Sequence, residues 1–432
     1  MLFRQISPAT FALTCITTVA IACGGTPRPV GVDYPDAEAN DAGTEDGRAT
    51  PNDADAPGLD GSSKDGSSPS DGGSEATIAD AGEDAQVAAP AVRYVGRSDI
   101  SDPLGPKFAW QGSRAIVRFS GTEVAVTLKD TAGQFGGSPT YFDVQVDGTW
   151  QTPIMLTPGA STYTLASGLA AGTHVVELYK RTEPYLGVTQ VLGFDFPGGG
   201  RLLAPPPAPT RRIEFLSDST VNGYGVEGVG PNCPGGAPAL THNSRRSLPQ
   251  LVADAVNADL VLLAFSGKGI VKNEAAGDAE VFDRLYGRSL PEDVASVWNF
   301  ARYTPDVVVS VLGGTDYSPP TAANPTLFAQ KYDALVGRIR TNYPLAQIIL
   351  AVGPQLSDDF PVGFNTRSNV KNTMMNIVNA RTGSGDTRIH FFEFAASTDA
   401  SLVTACYYHA NATFHEQMAT AFLPFVKAKT GW

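Results

Sequence analysis

Four short blocks hold the residues of this chain that could do chemistry. The first is Ser217-Asp218-Ser219-Thr220, followed by Val221-Asn222-Gly223-Tyr224-Gly225, and the second is Phe265-Ser266-Gly267-Lys268-Gly269. The third is Gly313-Gly314-Thr315-Asp316 and the fourth Cys406-Tyr407-Tyr408-His409-Ala410-Asn411. A serine at a strand-to-helix junction can set its hydroxyl at a helix N-terminus, where backbone N–H groups favour developing negative charge. A glycine lets a substrate come close to such donors, and an imidazole beside a hydroxyl can take up its proton. Plainer explanations exist for each block. Ser217, Asp218 and Ser219 are ordinary helix caps, and the glycines suit simple turns. Of five histidines, His174 and His390 fall in strand-like runs, His415 in a helical run and His242 in a polar loop. Only His409 falls where a rim residue is expected. Cys406, His409 and His415 lack the second close ligand pair of a zinc site, so no metal is expected there.

These blocks need elements to position them, and the chain supplies an α/β rhythm. Ile213–Leu216, Leu260–Phe265, Asp306–Leu312, Gln347–Val352 and Ile389–Phe394 read as buried strands. Helical stretches are expected at 245–257, near 290–302, and at 322–342, 367–381 and 412–428. Apolar strands alternating with helices imply a parallel sheet covered on both faces. Ligands then sit beyond the carboxyl ends of the strands, which makes 217–224, 266–270, 313–317 and the loop before the last helix the candidate segments. From about 90 to 200 the pattern differs. Short alternating runs, Arg114–Ser120, Thr122–Lys129, Tyr141–Val146, His174–Tyr179 and Val188–Phe194, are separated by turns such as Asp147-Gly148 and predict an all-β sandwich or jelly roll. The Pro-rich stretch 205–210 marks the boundary between the two.

The N-terminal part reads as a targeting segment and a tether. Arg4 precedes an apolar run from Phe11 to Ala22, too short to span a bilayer comfortably and suited to a signal h-region. It ends in Ala20-Ile21-Ala22-Cys23, which resembles a bacterial lipobox with Cys23 as the lipidated residue; an ordinary export signal with a coincidental Cys is the other reading. Residues 24–88, rich in Ala, Gly, Ser, Pro and Asp, cannot bury enough apolar surface to offset ordering and predict a disordered linker. That linker also explains the charge. Asp33 to Asp84 holds fifteen acidic residues against Arg48 and Lys64, which is the whole formal net charge of −13, so 85–432 is close to neutral. No basic stripe argues for nucleic acid. The expected divisions are a signal at 1–23, the linker at 24–88, a β domain at 89–204 and an α/β domain at 210–432.

Cys15 leaves with the signal and Cys23 takes the lipid, so Cys233 and Cys406 remain. An exported protein meets an oxidising compartment, where such a pair is expected to join, although two unrelated buried thiols would fit the sequence too.

In this order, the four blocks resemble the SGNH/GDSL hydrolase superfamily, and with the preceding β domain they are most similar to carbohydrate esterase family 2. The likeness covers about 90–432 and is most specific over Arg212–Gly225, Asp259–Ile270, Thr304–Ser318 and Cys406–Asn411. It implies a β jelly roll followed by a three-layer α/β/α domain that removes acetyl groups from polysaccharides or oligosaccharides. It also implies Ser219 as nucleophile, His409 as base, and oxyanion donors at Ser219, Gly267 and Thr315. Asp218 and Asp316 would be supporting residues. No cofactor is implied, and a monomer is expected, tethered by its lipid at the outer membrane or cell surface, since Gly24 does not resemble an inner-membrane retention signal.

Three departures qualify the resemblance. Ser217 stands in place of the first glycine, and is tolerable if the backbone there is not left-handed. Thr315 replaces the asparagine of the third oxyanion position with a shorter side chain. No carboxylate precedes His409 by two or three residues, so a backbone carbonyl or another group must orient it, as in family members that use a Ser–His dyad. A surface carbohydrate-binding lipoprotein with a catalytically weakened scaffold is the alternative function.

Overall fold

Strand residues that alternate between two apolar faces need a covering layer on each, and the C-terminal domain supplies both. The computed structural model describes residues 91–133, 139–233, 237–397 and 399–432; Cys23, the signal and the linker lie outside the described residues. Five parallel strands run in the order Ala258–Ala264, Arg211–Ser217, Val307–Val311, Gln347–Val352, Ile389–Glu393. Ile213, Phe215, Val307, Val309 and Ile349 face helices Leu248–Ala255 and Ala412–Thr430 through Leu248, Val252, Phe414 and Phe422. Leu216, Val308, Ile348 and Leu350 face helices Pro325–Asn342 and Thr366–Gly383 through Phe328, Tyr332, Ile339 and Met374. The chain reverses its direction of winding between the first strand and the third, and such a switch point is where a crevice opens.

Before this comes the antiparallel β domain, two sheets enclosing Phe108, Phe119, Val126, Leu128, Phe142, Val144 and Leu178. One sheet is built around Arg114–Gly121, Gly172–Lys180 and Tyr141–Val146, the other around Gly187–Asp195, Val124–Ala132 and Gly159–Ala166. The expected architecture is therefore the observed one. One element is not: the helix expected near 290–302 is a loop ending in a 3₁₀ turn at Phe300–Arg302. Pro291 offers no N–H, and the Ser296 hydroxyl bonds Leu290 N–H and the Leu290 and Asp293 carbonyls, competing with a helical ladder. Strand Gly159–Ala166 was not expected either, because its sequence GASTYTLA buries only Leu165.

The two domains share buried charge. Arg97 of the β domain lies within the α/β domain at 0% exposure, 3.0 Å from Glu214 on the first parallel strand. It also donates to the Tyr286 carbonyl and lies over the rings of Tyr286, Trp298 and Phe300. Trp110 of the β domain belongs to the α/β core, and Arg93 pairs with Asp259 at 2.9 Å. Arg97→Met leaves Glu214 charged without its cation, so it should cost about 3–5 kcal/mol in denaturant unfolding. Adding Glu214→Leu should recover most of that loss; no recovery would mean that packing of the guanidinium, not charge pairing, dominates.

Candidate active site

The first strand ends at Ser217, which stays extended and gives its hydroxyl to the Val311 carbonyl at 3.3 Å, so a glycine is not required there. Asp218 follows at 1% exposure. Its Oδ1 accepts from the Thr220 N–H at 2.9 Å and hydroxyl at 2.5 Å, and its Oδ2 from the Thr315 N–H and hydroxyl, both at 3.1 Å. Ser219 therefore sits, half-buried, in a turn pinned across the switch point to the end of the third strand. No helix begins there, contrary to expectation. Gly223 and Gly225 have positive φ, and the chain winds through turns until helix Leu248–Ala255, so neither a helix-cap role nor a helix N-terminus applies to Ser219.

A hydroxyl has one proton to donate, and that of Thr315 goes to Asp218 in this structure. Asp316 accepts from the Ile270, Val271 and Lys272 N–H groups at 2.9, 2.7 and 3.2 Å, which ties the loop after the second strand to the third. Burial pushes its pKa up to about 6 despite those bonds. Gly267, in that same loop, has φ +77°, a conformation that favours glycine. A Cβ there would lie 3.2 Å from Glu274 Oε2.

His409 arrives from the opposite rim. Its Nδ1 is 2.9 Å from the Cys406 carbonyl. A carbonyl can only accept, so Nδ1 carries the proton and Nε2 keeps its lone pair in the neutral ring. This is the backbone orientation that the missing acid required. Tyr407 and Tyr408 are left-handed, at φ 54° and 60°. Such backbone costs on the order of 1–3 kcal/mol per residue and needs support. Tyr407 N–H donates to the Pro231 carbonyl at 2.8 Å, Gln355 Nε2 to the Tyr408 carbonyl at 2.9 Å, and Cys406 is bonded to Cys233. The bridge crosses Gly228, where a Cβ would come 2.4 Å from Cys406 Sγ. Tyr224, from the Ser219 loop, packs its ring 4.7 Å from that of His409.

Two residues near this cluster were not among the expected ones. Glu183 of the β domain, 2% exposed, accepts from Ser266 N–H at 2.9 Å and Ser266 hydroxyl at 2.7 Å. His242, expected in a polar loop, is 1% exposed, with Nδ1 3.4 Å from Glu183 Oε1 and its ring 4.8 Å from Tyr224. Nothing in the local sequence around Glu183 signals a partner 83 residues away. The other histidines are occupied elsewhere: His174 with Asp147, His390 with Gln347, and His415 accepting from Leu248 N–H. An open groove of about 810 Å³ lies between helices Pro325–Asn342 and Thr366–Gly383, and none of the residues above line it.

Burial lowers the pKa of His409 from its ordinary 6.5, outweighing the Cys406 carbonyl and the nearby carboxylates, which raise it. The neutral, proton-accepting ring therefore persists to lower pH. The acid limb of kcat/KM for any reaction that uses it as base should have its midpoint below 6.5; a midpoint above that value would contradict the burial.

Both domains are similar to known proteins. A family model described as carbohydrate esterase 2 N-terminal matches residues 94–206. One described as GDSL-like lipase/acylhydrolase family matches 218–417. A solved structure of a family two carbohydrate esterase from Clostridium thermocellum in complex with cellohexaose is 36% identical, with a TM-score of 0.71 over 79% of this chain and 100% of that one. The cellulase/esterase CelE of Acetivibrio thermocellus is 36% identical over 79% of this chain, which spans 40% of CelE's length. An acetylxylan esterase/glucomannan deacetylase of Cellvibrio japonicus is 27% identical over 62% of this chain and 73% of that protein.

Proposed function

Because this chain belongs to carbohydrate esterase family 2, we propose that it is a serine esterase that removes acetyl groups from acetylated polysaccharides or oligosaccharides through an acyl-enzyme. The observation that carries this reading is the His409 tautomer fixed by the Cys406 carbonyl, which leaves Nε2 free to act on Ser219 without an acid. His409 Nε2 takes the Ser219 hydroxyl proton as Oγ bonds to the ester carbonyl carbon. The negative oxygen of the tetrahedral intermediate is met by the Ser219 and Gly267 N–H groups. As the intermediate collapses, the sugar oxygen leaves with the proton from His409, and the acetyl group stays on Ser219. Water then attacks the acetyl carbon and gives a proton to His409. Acetate departs, and the proton returns to Ser219. Asp218 and Asp316 act as supports that hold the strand ends in register.

In the same reading the protein is an exported monomeric lipoprotein, anchored at the outer membrane or cell surface through the lipid on Cys23, with its acidic linker holding the folded part away from the membrane. The apolar run Phe11–Ala22 before Cys23 supports this. One observation favours a second reading, a surface carbohydrate-binding protein with weakened turnover: the Thr315 hydroxyl is spent on Asp218, and losing one oxyanion donor costs roughly 3–4 kcal/mol.

Acetate release from acetylated xylan separates the two. Esterase function predicts turnover that Ser219→Ala lowers by on the order of 10⁴-fold or more. Polysaccharide binding without turnover, unchanged in Ser219→Ala, would establish the second reading instead.

A further inference from the structure

We propose that Glu183, a residue of the β domain, is a positioning residue of the esterase site: it fixes the peptide from which Gly267 projects its N–H, and it adds the field of a buried carboxylate to those of Asp218 and Glu274 acting on the histidine of the dyad. The proposal rests on the reading of Ser219 and His409 as nucleophile and base.

The geometry for the first role is direct. Glu183 grips Ser266 twice, Oε2 to N–H and Oε1 to hydroxyl, and the peptide unit after Ser266 carries the Gly267 N–H. Asn222 Nδ2 donates to the same Ser266 hydroxyl at 3.2 Å, which links this peptide back to the nucleophile's loop. An oxyanion donor is worth most when it needs no reorganisation as charge develops, and a left-handed glycine is the residue least able to hold its own peptide still. The backbone that carries the carboxylate is itself held. Lys180, fully buried, donates to the Thr182 and Glu183 carbonyls at 2.9 and 3.2 Å. Next to it, Arg181 fixes the turn to the His242 and Leu240 carbonyls, both at 2.8 Å.

The second role follows from a column of rings. Glu183 lies 3.4 Å from His242, His242 stacks edge-on to Tyr224 at 4.8 Å, and Tyr224 lies 4.7 Å from His409. Glu183 and His242 are buried and Tyr224 and His409 half-buried, so the field of the carboxylate is less screened than in water and favours the imidazolium that forms as Ser219 loses its proton. The other titratable groups facing His409 are Asp218 and Glu274, whose charges act in the same direction, Tyr224, and His415 beneath it on the last helix. Of the three carboxylates, Asp218 is occupied by four donors of its own and Glu274 is exposed to solvent.

Glu183→Gln removes the charge while keeping the shape. It should lower kcat for acetate release by roughly tenfold to hundredfold, less than outright loss of an oxyanion donor, with KM changed little. The acid limb of kcat/KM should move to lower pH, because a negative charge that raised the pKa of His409 is gone. Glu183→Asp keeps the charge but draws it back from Ser266, so kcat should fall while the acid limb stays in place. Both are compared with Ser219→Ala in the full chain, at temperatures where each variant is folded. Activity in Ser219→Ala would refute the dyad itself. An inactive Ser219→Ala beside Glu183 variants with unchanged kcat and unmoved limb, whatever their melting temperatures, would overturn this inference alone.

Discussion

A carboxylate removed from water must be given donors, and the way Asp218 finds its four determines the geometry of the whole site. Two come from the turn that carries Ser219 and two from Thr315 at the end of a different strand. The Ser219 turn therefore cannot shift relative to the third strand without stranding a buried charge. Asp316 repeats the device one residue after Thr315, gathering three N–H groups from the loop that contains Gly267. Two adjacent blocks at the switch point thus hold three strand ends together through carboxylates that touch only backbone and hydroxyl groups. The same economy draws on the single hydroxyl proton of Thr315, which goes to Asp218.

What the sequence made legible follows from how each feature is encoded. Parallel strands buried on both faces, such as Val307–Val311, are continuous apolar runs and stand out. So do long helices with an Asn cap such as Pro325–Asn342. The loop over 290–302 was misread because its composition suits a helix, while one hydroxyl, Ser296, redirects its hydrogen bonds. Ser219, Gly267 and His409 were singled out by their positions at successive strand ends. The role of Thr315 was not found, since its partner lies 97 residues earlier. Nor was the place of His242, whose loop looks polar in sequence and is buried only because β-domain residues fold over it.

The β domain is consequently more than a spacer. It inserts Arg97 and Trp110 into the neighbouring core and sends the segment Lys180–Glu183 to the rim of the site. Buried cations and anions exchanged across a seam fix relative orientation more strictly than apolar contact does, because each is satisfied in only one arrangement. The two domains behave as one folded unit whose site is completed from both sides.

The Cys233–Cys406 bridge has a consequence in the time order of biosynthesis. Its two cysteines are 173 residues apart, and the later one is made only three residues before His409. While the ribosome extends the α/β sheet, the Ser219 loop exists without His409, its covalent tie, or the Tyr407–Tyr408 turn that the tie supports. Neither the bridge nor the seating of the imidazole can come before the sheet and the helices preceding the last one have been synthesised. Until then a nascent chain holds Ser219 without the imidazole that packs against its loop through Tyr224.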